Sequence, residues 1–302
     1  MLNIPLQFGM VGARKEHLER LRGYGFRRAE AVLIPREDEA WLREYLAGME
    51  AFSFHFPIWR EEGLPDYPLR LALVDPDADR RNSALDLIRR ELDRAAEWGA
   101  RHIIVHLQRN LLEEVPPPDS GDEREGVALA AEAAAPLLTH AAEDGVGLHF
   151  ENMMGSPLLH SPEAYRELAR LLPEIRYCLD VGHAALDGRY FGFAETDLAE
   201  AMGPNLGSLH VYDNHLPREI HFARLREEGL LRKYPVHPRH YTGPEWVDTR
   251  GCLRAALTAQ PEALVTFEVY YSMDTDHEET AEGIAWTVES CRGIQNPRRD
   301  GC

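Results

Sequence analysis

The sequence predicts a single-domain α/β fold, a (β/α)8 TIM barrel. Three observations carry that prediction. Apolar runs of strand length alternate with helical stretches eight times along the chain. Such alternation implies a parallel sheet, and eight units imply a closed one. The chain has 302 residues, and a barrel of this kind takes about 250, so one domain spanning 1–302 suffices, with the barrel over about 4–292 and a short C-terminal tail. Finally, six of the strands end, each at its C-terminal end, in a residue suited to holding a metal ion. They are Phe52-Ser53-Phe54-His55, Ile103-Ile104-Val105-His106, Gly147-Leu148-His149-Phe150-Glu151, Tyr177-Cys178-Leu179-Asp180, Ser208-Leu209-His210 and Thr266-Phe267-Glu268.

Taken in order, residues 4–10 form a first strand, followed by a helix over 15–22 that Gly23 and Gly25 break. A second strand covers 28–34 and carries Glu30, which either pairs with Arg28 or lines the barrel; Pro35 ends it, and 37–48 is helical. The third strand, 51–56, stops at Pro57. A periodic helix over 80–98 places Leu85, Ile88, Leu92 and Ala95 on one stripe. The fourth strand is 102–107 and the Ala-rich helix after it is 123–143. The fifth strand ends at Glu151, and Ser161-Pro162-Glu163 opens the next helix with a Ser cap and Pro at the first helical position. The sixth strand is 176–181, with a short helix around 196–202 after it, and the seventh is 206–212. A long polar segment, 213–245, holds His215, His221, His237 and His240; loops of that length are functional or disordered. A helix over 246–259, a strand over 263–270 and a helix over 276–291 complete the barrel.

Composition narrows the function. Apolar residues make up 44% of the chain, enough for a large core, and no apolar run approaches the roughly 20 residues of a membrane span. The N-terminus lacks a signal-peptide pattern. A net charge of -18 argues against a nucleic-acid partner, since phosphate binding needs clustered Lys and Arg. Four cysteines without CxxC spacing read as free thiols of a cytoplasmic protein.

Side chains alternate across a strand, which tests the ligand pattern. If Glu151 faces the barrel mouth, His149 sits one layer below it. The same rule puts Ser53 beneath His55, Ile104 beneath His106, Cys178 beneath Asp180, Ser208 beneath His210 and Thr266 beneath Glu268. Glu151, Asp180, His210 and Glu268 would therefore converge on one point. Three carboxylates buried together without a partner are costly. Oxygen and imidazole ligands suit a divalent cation, Zn or Mn first and Mg or Co as alternatives. His55 and His106 add two imidazoles, for a second metal or for substrate, so the site would hold one to three ions. His183 would be brought back over the site by a turn at Gly182. Asp213, Arg218, His237 and His240 are further substrate-binding candidates from the seventh loop.

The chain resembles the xylose isomerase-like TIM-barrel superfamily. Cys178-Leu179-Asp180-Val181-Gly182-His183-Ala184 is similar to its Asp-x-x-His at the sixth strand, and 147–152 to its fifth-strand Glu motif. Ser208-Leu209-His210-Val211-Tyr212-Asp213 is similar to its seventh-strand His-x-x-Asp, and 265–270 to its eighth-strand Glu. The resemblance implies one of two activities. As a sugar isomerase or epimerase, the residues Glu151, Asp180, His210 and Glu268 would hold one metal. Glu151 and Glu268 would then exchange a carbon-bound proton through an enediolate, and His183 would hold a substrate oxygen. As a multi-zinc phosphodiesterase of the apurinic-site endonuclease type, His55, His106 and Glu151 would hold one zinc and Glu151, Asp180, His210 and Glu268 another. The nuclease pattern also needs an Asp-x-His in the seventh loop, and here Pro235 and Pro238 stand two residues before His237 and His240. The epimerase pattern often places an Arg soon after the seventh-strand His, and the nearest here, Arg218, is further on. The incomplete third zinc site and the acidic balance favour the isomerase or epimerase acting on a small-molecule sugar, phosphorylated or not. The hydrolase is the alternative, and a sugar-binding barrel without turnover comes third. Trp59, Leu64, Tyr67 and Leu69 would cover the site or form a homodimer contact.

Overall fold

The computed structural model describes residues 6–17, 22–60, 73–108, 121–216, 244–270 and 277–295. Arg218, His237 and His240, and with them Leu64, Tyr67, Leu69 and Cys302, lie outside the described residues.

Eight parallel strands close into a barrel: β1 (Leu6–Val11), β2 (Arg28–Val32), β3 (Ala51–His55), β4 (His102–His106), β5 (Gly147–Glu151), β6 (Arg176–Asp180), β7 (Leu206–Val211) and β8 (Leu264–Tyr270). Each strand pairs with its sequence neighbours, and β1 closes the ring on β8 through Leu6↔Val265 to Val11↔Tyr270. Around the ring run α1 (Glu39–Ala47), α2 (Ala78–Trp98), α3 (Glu123–Asp144), α4 (Pro162–Leu171), α5 (Val181–Phe191), α6 (Glu195–Met202), α7 (Thr249–Ala259) and α8 (His277–Gln295). No helix among the described residues is long and apolar enough to cross a membrane.

Local chemistry explains where the helices begin. Asp77, Asp122, Ser161 and Asp248 each cap a helix through a side-chain oxygen that accepts a backbone N–H of the first turn. The buried stripe of α2 runs through Ala84, Ile88, Leu92 and Ala95, one residue off the expected Leu85 at its first position. The core lies between the outward faces of the strands and these helix stripes, and Cys178, Cys252 and Cys291 are buried free thiols.

Two elements differ from the sequence expectation. The second strand stops at Val32, because Leu33 takes a left-handed conformation at φ 52°. Beyond it, Ile34–Pro35 pairs with Trp59–Arg60 in a small separate sheet. Of the helix expected over 15–22, the described residues show a 3-10 turn at Lys15–His17 and helical Arg22 and Gly23, and 18–21 lie outside them. The segment after Asp180 is a full helix, α5, where only a turn was expected; two glycines, Gly182 and Gly188, mask its helical composition.

Candidate metal centre

The inward-facing side chains form two layers, as alternation predicts. In the lower layer Gln7 of β1 donates to Glu30 Oε2 at 3.0 Å, to Ser53 Oγ at 2.7 Å and toward Thr266 Oγ1 at 3.3 Å. Ser53 Oγ also donates to Glu30 Oε2 at 3.1 Å. Glu30 is therefore a barrel-lining residue, fully buried and held by β1 and β3. His149 does not reach Glu151's ligand set. Its Nδ1 meets Ser208 Oγ at 3.0 Å, its ring stacks on His102 at 4.2 Å, and burial pulls its pKa down to about 4.

Above this layer the predicted residues meet. Glu151, only 1% exposed, lies at the centre, with four imidazoles around its two oxygens. Oε2 is 2.6 Å from His55 Nε2 and 3.2 Å from His106 Nε2. Oε1 is 3.4 Å from His183 Nδ1 and 3.5 Å from His210 Nδ1. His210 Nδ1 also faces Asp180 Oδ2 at 3.9 Å and Glu268 Oε2 at 3.8 Å. Three groupings place their ligand atoms within 4.8 Å of one another: His55, Glu151 and His210; Glu151, Asp180 and His183; Asp180, His210 and Glu268. Gly9 of β1 gives Glu268 its space, since a Cβ there would lie 3.3 Å from Glu268 Cγ.

The surroundings fix how each group is presented. His55 Nδ1 donates to the Phe56 carbonyl at 2.8 Å, which turns Nε2 toward Glu151. Burial opposes a charge on His55, but Glu151 outweighs it and raises the imidazole pKa. For His106 burial wins, and its pKa falls. Burial also opposes the Glu151 anion, yet His210, His106 and His55 hold its carboxyl well below the usual range. On His210 burial is outweighed by Cys178, Glu30, Glu151 and Glu268, and its pKa stands well above the ordinary value. Burial pushes the Cys178 thiol up to about 12, so it is neutral near pH 7 and the carboxylates supply that effect.

His210 provides the test of whether a cation fits. Both ring nitrogens are buried without a hydrogen-bond partner. Nε2 stands 2.9 Å from Glu30 Oε1, close enough for an ion pair but off the N–H direction needed for a hydrogen bond. Nδ1 points among three carboxylates. A buried nitrogen without a donor or acceptor partner, ringed by oxygen ligands, is what a divalent cation would satisfy.

Asp180 and His183 are set by residues that sequence reasoning missed. Asp180 caps α5, its Oδ1 accepting the His183 N–H at 2.8 Å and the Tyr212 hydroxyl at 2.6 Å. Asn152 takes the Asp180 N–H at 2.8 Å and donates to its carbonyl at 3.1 Å. The Asn152 carbonyl also accepts from His183 Nδ1 at 3.0 Å. Gly182 does not turn the chain, as the sequence implied. It lies in the first turn of α5, where a Cβ would sit 2.5 Å from the Tyr212 ring. Asp213 is fully buried, and Thr249 Oγ1 at the start of α7 donates toward it at 3.4 Å. Only the register between strands, invisible in one sequence, could have revealed Tyr212, Asn152 and Glu30.

A family model described as xylose isomerase-like TIM barrel matches residues 18–290. Among solved structures, L-ribulose 3-epimerase is similar at a TM-score of 0.66 and 14% identity, over 98% of this chain and 97% of that one. The IOLI protein with a bound zinc atom is similar at 0.67 and 14%, over 96% and 99%. A xylose isomerase-like TIM barrel protein from Mycobacterium smegmatis in complex with magnesium is similar at 0.60 and 16%, over 92% and 88%. No curated protein sequence matches the chain.

Proposed function

The chain belongs to the xylose isomerase-like TIM-barrel family, and from that premise we propose a divalent-metal-dependent isomerase or epimerase of a small sugar or sugar phosphate. The observation that carries the reading is His210 Nδ1, buried without a hydrogen-bond partner and facing Glu151, Asp180 and Glu268 at 3.5–3.9 Å. Those four residues would hold the cation, with Zn or Mn as the favoured ion. When bound, it supplies a Lewis acid that polarises a substrate carbonyl and acidifies the neighbouring C–H.

The remaining chemistry belongs to the chain. Glu151 and Glu268 come from strands on opposite sides of β6 and β7 and approach the same imidazole from two directions. One takes the carbon-bound proton and the other returns it, the general acid–base work that carboxylates perform at such a centre. His183 presents Nδ1 to the Asn152 carbonyl, which leaves Nε2 as the nitrogen that can hold a substrate oxygen. Structural similarity to proteins named as sugar epimerases agrees with this reading.

A second reading rests on one observation. The two oxygens of Glu151 face different imidazole pairs, Oε2 meeting His55 and His106 and Oε1 meeting His183 and His210. A carboxylate so placed is suited to bridging two cations, as a multi-zinc phosphodiester hydrolase would use it. Elemental analysis of the purified protein, combined with exchange of a ketose's carbon-bound proton into deuterated solvent, tests both. Exchange with one ion per chain is expected. Three zincs per chain with cleavage of abasic DNA would replace the isomerase with the hydrolase.

A further inference from the structure

Asp180 has two carboxylate oxygens in unlike surroundings. Oδ1 accepts two hydrogen bonds, from the His183 N–H at 2.8 Å and from the Tyr212 hydroxyl at 2.6 Å. Oδ2 turns the other way, 3.6 Å from His183 Nδ1 and 3.9 Å from His210 Nδ1. Asn152 holds both the N–H and the carbonyl of Asp180 and fixes its backbone, and the two hydrogen bonds on Oδ1 restrain rotation of the carboxylate itself. The helix cap alone leaves Oδ1 a second lone pair, and a carboxylate accepts up to four hydrogen bonds. Tyr212 takes that remaining direction. Its ring reaches Asp180 only because position 182 is glycine, where a Cβ would meet Cε2, Cζ and Oη at 2.5–2.6 Å. Tyr212 is itself only 1% exposed, so water does not compete for the contact.

We propose that Tyr212 is a positioning residue that commits Oδ1 of Asp180 to hydrogen bonds, so that Asp180 offers a cation Oδ2 alone. The inference rests on the metal reading above and adds a coordination mode to it. A one-oxygen carboxylate would keep the coordination number of a bound cation low and would leave room for a substrate oxygen. Without the Tyr212 hydroxyl, Oδ1 loses one of the hydrogen bonds that hold it, and the carboxylate is freer to rotate and chelate with both oxygens. Positioning hydrogen bonds of this kind are worth about 10–100-fold in metal affinity.

Cobalt(II) is the probe, because its visible absorption weakens as coordination number rises. Metal-free wild type and Tyr212→Phe are titrated with Co2+, and the thermal midpoint of each metal-free protein is measured alongside. The expected result is a Tyr212→Phe complex with weaker visible bands and an affinity lowered about 10–100-fold, with the metal-free midpoint little changed. Equal spectra and affinities in the two proteins would overturn the role of Tyr212 while leaving the metal centre intact. Failure of the wild type to take up Co2+ would defeat the metal reading, and this inference with it. Should the Phe variant not fold, Gly182→Ala displaces the same ring and is judged by the same two outcomes.

Discussion

The two sides of Glu151 are built on different principles. On the Oε1 side, β6, β7 and β8 bring Asp180, His210 and Glu268, and each of the first two has a fixed support behind it. Asp180 is held by Tyr212, Asn152 and the α5 cap, and His210 stands against the buried Glu30. On the Oε2 side, β3 and β4 bring only imidazoles, His55 and His106, and the support on His55 is one backbone carbonyl, Phe56. The Oε1 side gathers three carboxylates around one imidazole. The Oε2 side sets two imidazoles on one oxygen of Glu151, with His55 also donating to the Phe56 carbonyl. The contrast shows that converging ligands do not make equal sites: the carboxylate-rich side has the ligand set the proposed cation would use, and the imidazole side pairs two imidazoles with one carboxylate oxygen.

The largest effects should come from the residues that the carboxylate-rich side cannot spare. Glu151→Gln and Glu268→Gln each remove a charge and a proton-transfer group, and each should lower turnover by about 10²–10⁴-fold. Glu151→Gln should also weaken the imidazole side, since both His55 and His106 lean on it. Glu268→Gln should leave that side untouched. Steady-state kinetics with a ketose and metal content after dialysis give the comparison, and full activity in both variants would sink the mechanism.

Glu30→Gln keeps the shape of the lower layer and its contacts with Gln7 and Ser53 but removes the charge behind His210. Carboxylates placed behind a metal-binding imidazole are worth about 10–100-fold in affinity. Isothermal titration with Mn2+ should show a loss in that range, and an unchanged affinity would mean that packing alone orients His210. On the other side, His55→Asn breaks one charged hydrogen bond. The expected cost is about tenfold in KM, with the same number of ions per chain by elemental analysis. Loss of one ion in His55→Asn would make the imidazole side a metal site and favour the hydrolase.

The barrel and its ring of ligands were legible because both depend on short-range regularities. Eight βα repeats appear as alternating composition, and a period of two decides which side chain faces inward. The structure therefore places Glu151, Asp180, His210, Glu268, His55 and His106 together as those regularities require, and His183 joins them from helix α5. The supports were illegible for a physical reason. Whether Glu30 meets Arg28 or the barrel interior depends on how β2 sits against β1 and β3, and Tyr212 meets Asp180 only through the pairing of β7 with β6. The helix α5 was hidden by its glycines, one of which is there to admit a neighbouring ring. His149 was one layer from Glu151 in sequence, yet it pairs with Ser208, because in a tilted barrel the nearest side chain comes from another strand.

The smallest effect tests where the support on the carboxylate-rich side ends. Asp187 of α5 is 2% exposed and accepts the Gly155 N–H at 2.6 Å, fastening the loop after β5 to the helix after β6. Burial raises its pKa well above the usual carboxylate value, with the Gly155 hydrogen bond opposing and Glu123 adding to the rise. A carboxyl raised in the folded state binds its proton more tightly there than in the unfolded chain. Its stabilising contribution is therefore full below the unfolded pKa and is lost as pH rises through the folded one. Asp187→Asn keeps the accepting oxygen and removes the charge. It should match the wild type in acid and exceed it at neutral pH and above, by about 1 kcal/mol or more. A gain of that size raises the thermal midpoint by about 2–4 °C. Metal affinity should not move, since Asp187 touches the loop and none of the ligands. A fall in Mn2+ affinity would extend the support on this side through the β5 loop to α5, and equal midpoints at every pH would show that Asp187 stays ionised in the fold.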